Sequence, residues 1–108
     1  GGEEKRTIVL ISFRKGIDTA KALVERHGGE VKKRQQVSKT TAILVNGGRG
    51  GNSAAAISKA NEHDVPVMGI RAFKELIDDG SFAKLSLISD LSQWRQGVRN
   101  SYHKLDQV

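Results

Sequence analysis

The chain predicts an α/β fold: a small four-stranded parallel sheet flanked by helices, with an additional C-terminal helix. Three observations carry this. Two runs, Thr7–Ile11 and Ala42–Val45, are apolar and rich in β-branched residues without alternation, as strands covered on both faces are. Amphipathic stretches of helical period separate the strand-like segments, and glycines stop them. The resulting order is strand, helix, strand, strand, helix, strand, helix. Helical crossovers between strands favour parallel pairing.

The elements follow in order. Thr7–Ile11 is the first strand, and Ser12–Gly16 is a polar turn carrying Arg14 and Lys15. In the first helix Ile17, Ala20, Leu23, Val24 and His27 share one side, Lys21, Glu25 and Arg26 the other, and Asp18 is the expected N-cap. Gly28 then supplies the positive φ that ends a helix, and the small Gly29 allows close helix–sheet contact. A short strand through Val31 leads into the basic, polar stretch Lys32–Gln36. After the second apolar run, Asn46–Gly51 reads Asn-Gly-Gly-Arg-Gly-Gly, which is a loop. Asn52 or Ser53 caps a second helix that runs to about His63, with Ala56, Ile57 and Ala60 facing inward. Pro66–Met68 is a strand whose proline stands at its start, where a missing N–H does least harm. Ile70, Phe73, Leu76 and Ile77 form a third helical face, closed by Gly80, with Phe73 expected as the largest core side chain.

The division expected is a domain over residues 6–80 and an extension over 81–108, helical from about residue 90. Leu87, Leu91, Trp94, Val98, Tyr102 and Leu105 recur at spacings of three and four, and Asp90 with Gln93 resembles a capping box. An isolated helix of this length is marginal in water, so it must lean on something. One reading packs Trp94 back onto the domain. The other makes Leu91, Trp94, Arg95, Val98 and Tyr102 a partner-binding or dimerising face.

Composition narrows the class. A chain of 108 residues fits one domain with a modest core. No apolar run is long enough to span a bilayer, and no secretory pattern opens the chain. Gly1-Gly2 reads as a cloning remnant, which would make the sequence an excised piece. The absence of cysteine excludes disulfides and thiolate metal sites and is compatible with a reducing cytoplasm. His27, His63 and His103 have no metal-ligand spacing, and no nucleophile–base pair stands out, so neither metal, cofactor nor catalysis is expected. The net charge of +6 favours acidic partners, nucleic acid first, against the plainer reading of a lysine-rich solvated surface. The loop Gly47–Gly51 follows a strand and precedes a helix, as phosphate loops do, but fits no phosphate-loop spacing. It reads as a connector whose amides and Arg49 could touch a DNA backbone. It is also the only support for a nucleotide-binding enzyme fragment.

The residues also resemble a known family, the BRCT domain. Thr7–Ile11 resembles its first strand, and Ala20–Val31 its first helix, glycine turn and second strand. Val37-Ser38-Lys39-Thr40-Thr41 with Ala42–Val45 resembles the passage into its third strand. Lys59-Ala60 followed by Val65–Met68 resembles the end of its second helix and its fourth strand. Phe73–Ile77 resembles its third helix, with Phe73 where many members carry tryptophan. The likeness covers roughly residues 6–80. It is closest in flavour to bacterial members in NAD-dependent DNA ligases and in exonucleases like the epsilon subunit of DNA polymerase III.

What the resemblance implies is a non-catalytic docking module of a bacterial replication or repair protein, cytoplasmic and nucleoid-associated. Its partner would be another such protein, through protein–protein interaction, or alternatively DNA, recognised by its backbone phosphates or by a 5′-phosphate end, with no membrane and no small-molecule substrate. In phosphate-binding members a Ser or Thr ends the first strand, a glycine follows, and a lysine near the start of the second helix adds charge. Ser12 matches the hydroxyl; Phe13 replaces the glycine, and Ala56 stands at the lysine position, with Lys59 almost one turn later. Ser12, Arg14, Lys15, Arg49 and Lys59 are therefore the phosphate or DNA candidates, and Gly28, Gly29 and Phe73 the structural ones.

Overall fold

The computed structural model describes residues 5–48, 53–85 and 88–106. Strands β1 (Arg6–Ile11), β2 (Gly29–Lys32), β3 (Thr41–Asn46) and β4 (Val67–Gly69) form one sheet, in the order β2-β1-β3-β4. All pairings are parallel. Helix α1 (Ile17–Arg26) connects β1 to β2, and α2 (Ala54–Glu62) connects β3 to β4. Helices α3 (Ile70–Asp78), α4 (Ser81–Leu85) and α5 (Leu91–Asp106) complete the chain, and a 3-10 turn, Arg34–Gln36, lies between β2 and β3.

The two faces of the sheet bury alternate residues, as a period of two requires. Ile8, Leu10, Ile43 and Val45 pack with Val24 of α1, Phe73, Leu76 and Ile77 of α3, Phe82 of α4, and Trp94 and Val98 of α5. Val9, Ile11 and Leu44 pack on the other face with Val37, Ala56, Ala60 and Val65. This explains why the strands read as unbroken apolar runs. Helix α2 presents only the small Ala56 and Ala60 as fully buried residues, so it can lie close to its face.

The glycine junction is built as its residues dictate. Gly28 has φ +83°, and a Cβ on Gly29 would lie 2.7 Å from Val24 Cγ1 and 3.3 Å from the Arg6 carbonyl oxygen. Helix α1 starts differently from expectation. Gly16, at φ 75°, occupies the N-cap, and Asp18 sits in the first turn, where its charge favours the positive helix end. Ser53 is the N-cap of α2 without a side-chain bond; Asn52 lies outside the described residues. Helix α4 was not expected at all.

The C-terminal helix is core. Trp94 is 1% exposed and Val98 fully buried, and Trp94, not Phe73, is the largest fully buried side chain. Phe82 links the aromatic residues, meeting Trp94 edge-on at 5.8 Å and Phe73 at 6.2 Å. The core thus runs across the boundary expected at residue 80. Asp90 begins the helix, its Oδ1 accepting the Gln93 N–H at 2.9 Å.

Three arginines fasten this helix to the N-terminal ends of the strands. Arg6 donates to the carbonyls of Ile88 (2.8 Å) and Ser89 (2.7 Å), and its guanidinium lies 5.5 Å from the Trp94 ring centroid. Arg95 donates from Nη2 to Lys39 O and Thr41 O, both at 2.7 Å, and from Nη1 to His63 O at 3.3 Å. Burial lowers the Arg95 pKa from its usual value; Asp64 opposes this, while Arg99 and Arg6 add to it. Arg99 bonds Asp64 at 3.0 Å. A planar fork serves several carbonyls at once and an ammonium does not. Arg95→Lys is therefore expected to cost about 2 kcal/mol in urea unfolding, because buried acceptors lose charged donors.

Candidate functional site

The sheet has one topological switch point. From β1 the chain leaves through α1 toward β2, and from β3 through α2 toward β4, in opposite directions. The carboxyl ends of β1 and β3 are therefore where an open α/β sheet leaves a crevice for ligands.

What fills this position is unusual backbone. Ser12, directly after β1, has φ 57°, a left-handed conformation that a non-glycine residue adopts only under constraint. Its Oγ is buried and has no hydrogen-bond partner among the described residues. An unpaired buried hydroxyl costs about 1–3 kcal/mol. Opposite it, Gly47 donates its N–H to Ile11 O at 2.8 Å. A Cβ on Gly47 would stand 2.4 Å from Ser12 O and 3.0 Å from Phe13 Cα, so only glycine fits. Asn46 Oδ1 accepts the Gly48 N–H at 2.9 Å and shapes the next step of the loop.

Above this contact lies an open groove of about 600 Å³ lined by Arg14, Lys15, Gly47 and Ile70. Arg14 and Lys15 are exposed in the β1–α1 turn. Ile70, 42% exposed at the start of α3, is the groove's apolar wall. Ile17, at the start of α1, is 44% exposed. Sequence periodicity assigned both isoleucines to inward faces; they stand out because the first turns of the helices begin above the sheet.

The other sequence candidates are distributed differently. Lys59 is exposed in the last turn of α2, the end that has run back away from the carboxyl ends of the strands. It does not join Arg14 and Lys15. Ala56, at the family's lysine position, is buried. Arg49 lies outside the described residues. Trp94 and Val98 are core, Arg95 is 8% exposed and fully engaged with carbonyls, and Leu91 is half-buried against the core. The partner-binding face expected on these residues is not on the surface, because its apolar stripe is used against the sheet. Tyr102 belongs to α5, but its side chain lies outside the described residues.

Among the described residues, no group of three or more His, Asp or Glu side chains is placed to hold a metal ion. None of the described helices is long and apolar enough to cross a membrane. The groove can supply two exposed cations and one apolar wall. That equipment suits an anionic group displayed on a larger ligand.

Comparison with protein-family models, curated proteins and solved structures finds no match for this chain. What stands is the class of fold: a four-stranded all-parallel sheet flanked by helices with a C-terminal helix, consistent with a BRCT-like arrangement.

Proposed function

We propose that the chain is a non-catalytic, BRCT-like docking module of a bacterial DNA replication or repair protein, working in the cytoplasm on the nucleoid. It docks by binding phosphate on DNA. The observation that carries this reading is the groove at the switch point, where Arg14 and Lys15 stand beside the glycine loop and the strained Ser12 turn. The net charge of +6 supports it. Docking to a protein through the tail helix loses its support, since Trp94 and Val98 are buried.

The roles divide by chemistry. Arg14 and Lys15 neutralise phosphate and donate charged hydrogen bonds to it. Ser12 holds the turn; its covered hydroxyl reaches a ligand only after rotating. In fluorescence anisotropy with a labelled duplex, affinity is expected to fall steeply between 50 and 200 mM salt. The Arg14→Gln/Lys15→Gln double variant is expected to bind at least about tenfold more weakly at 0.1 M salt, because two phosphates are left without a cation. No binding by the parent protein at low salt, or a variant that binds as the parent does, overturns the reading.

A further inference from the structure

Many described acidic side chains, including Glu25, Glu62, Asp64, Asp78 and Asp90, sit on the late turns of helices or around the N-terminal ends of the strands. Of the cations at that end, Arg6 and Arg95 are engaged with backbone carbonyls and Arg99 with Asp64, while Lys5, Arg26, Lys39 and Lys59 are exposed. The carboxyl ends hold Asp18, in the first turn of α1, and four cations. Arg14 and Lys15 follow β1, and Lys33 and Arg34 follow β2, its direct neighbour. All four side chains are exposed, and none belongs to an ion pair among the described residues. The nearby Glu30 is paired with Lys32 at 3.4 Å.

The two cationic pairs do not share one pocket. The β1–α1 turn leads to the face covered by α1 and α3, and the groove there is lined by Arg14 and Lys15 but not by Lys33 or Arg34. The 3-10 turn that begins at Arg34 leads instead to Val37 on the α2 face. The pairs therefore follow neighbouring strands, whose backbones lie about 4.8 Å apart, and only the first pair lines the groove. A phosphate seated in the groove meets Arg14 and Lys15 but not Lys33 or Arg34, which do not line it. A ligand that reaches both must repeat its charge, as a nucleic-acid backbone does, with a phosphate at every 3.4 Å of rise along each strand (about this spacing in B-DNA).

Resting on the function proposed above, we infer that Lys33 and Arg34 form a second phosphate contact, and that the module grips the internal backbone of duplex DNA across the carboxyl ends of β1 and β2 and does not select a 5′-phosphate end. The contact is sequence-independent, because it involves charge and no base edge.

The test uses two 16-bp duplexes of the same mixed sequence, one with 5′-phosphates and one with 5′-hydroxyls, titrated by anisotropy from 50 to 200 mM salt. The two are expected to bind within about threefold of each other, because one terminal phosphate adds little to backbone recognition. Lys33→Gln/Arg34→Gln is expected to reduce the slope of log K against log salt by about 1–2, with roughly tenfold weaker binding at 0.1 M for each phosphate no longer neutralised. Lys74→Gln/Lys84→Gln removes the same charge from exposed positions on α3 and α4 and is expected to leave the slope unchanged. If Arg14→Gln/Lys15→Gln weakens binding while Lys33→Gln/Arg34→Gln keeps the parent slope, the groove stands and the second contact is overturned. A preference above tenfold for the 5′-phosphorylated duplex overturns backbone recognition in favour of an end. An equal loss of slope in the Lys74/Lys84 variant overturns a local contact. Absence of binding by the parent protein overturns both the function and this inference.

Discussion

Removal of residues 87–108 is expected to leave an unfolded chain. The truncation takes Trp94 and Val98 out of the core beneath β1, β3 and α3, and takes Arg95 from the carbonyls of Lys39, Thr41 and His63. Loss of a buried tryptophan side chain alone costs about 3–5 kcal/mol. Exposing the apolar surface that Val98 covers adds about 1.5–3 kcal/mol. Domains of this size are stable by about 5–15 kcal/mol in total, so these losses match the lower part of that range before the hydrogen bonds of Arg95 are counted. Amide proton–nitrogen spectra are expected to lose their dispersion. A dispersed spectrum from the truncated chain would show that the helix is an appendage. Two point variants refine the test in urea unfolding. Trp94→Ala is expected to lose the 3–5 kcal/mol quoted for such a truncation (again about that much). Trp94→Phe is expected to lose much less, since the buried indole N–H has no acceptor among the described residues.

Gly47→Ala is expected to damage stability and ligand binding together. The added Cβ meets the backbone of Ser12 at 2.4 Å and 2.9 Å, and backbone cannot swing aside as a side-chain tip can. The β1–α1 turn must therefore move, at a cost of about 1–3 kcal/mol by analogy with overpacked cores. That turn carries Arg14 and Lys15, so the groove loses its geometry. We expect weaker DNA binding even at temperatures where the variant is fully folded. Gly48→Ala is the contrast. Nothing lies within 4 Å of a Cβ there, but its φ of +74° makes the change locally strained without moving Ser12. A Gly47→Ala protein with the parent's stability and affinity would contradict the close approach of the two turns.

The sequence revealed the layers of this fold because they rest on local rules. Unbroken apolar strands, helical stripes and the positive-φ Gly28 each report on their own neighbourhood. What it hid depends on distant partners. The stripe of α5 has the same spacing whether it faces a sheet or a second protein, so Trp94 alone could not say which. Arg95 reads as a surface charge; only the three carbonyls gathered from two other loops make it an interior residue. Ile17 and Ile70 obey the helical period, yet each begins its helix above the edge of the sheet and so stays exposed.

Of the site, Ser12, Arg14 and Lys15 were visible as a polar turn after a strand. Gly47 was visible only as one glycine among several. Its particular role comes from the parallel register Ile11↔Asn46, which brings the residues after two strands face to face. The position of Lys33 and Arg34 relative to the groove likewise follows from strand order, not from their separation along the chain.

Arg6 grips Ile88 and Ser89 across a sequence separation of more than eighty residues. For a ribosome making this protein, that clasp sets a schedule. Val45 emerges well before Val98, and at typical elongation speeds the gap is roughly 3–10 s. Throughout that interval α1 and then α3 can cover this side of the nascent sheet, but the places of Trp94 and Val98 stay open until α5 emerges.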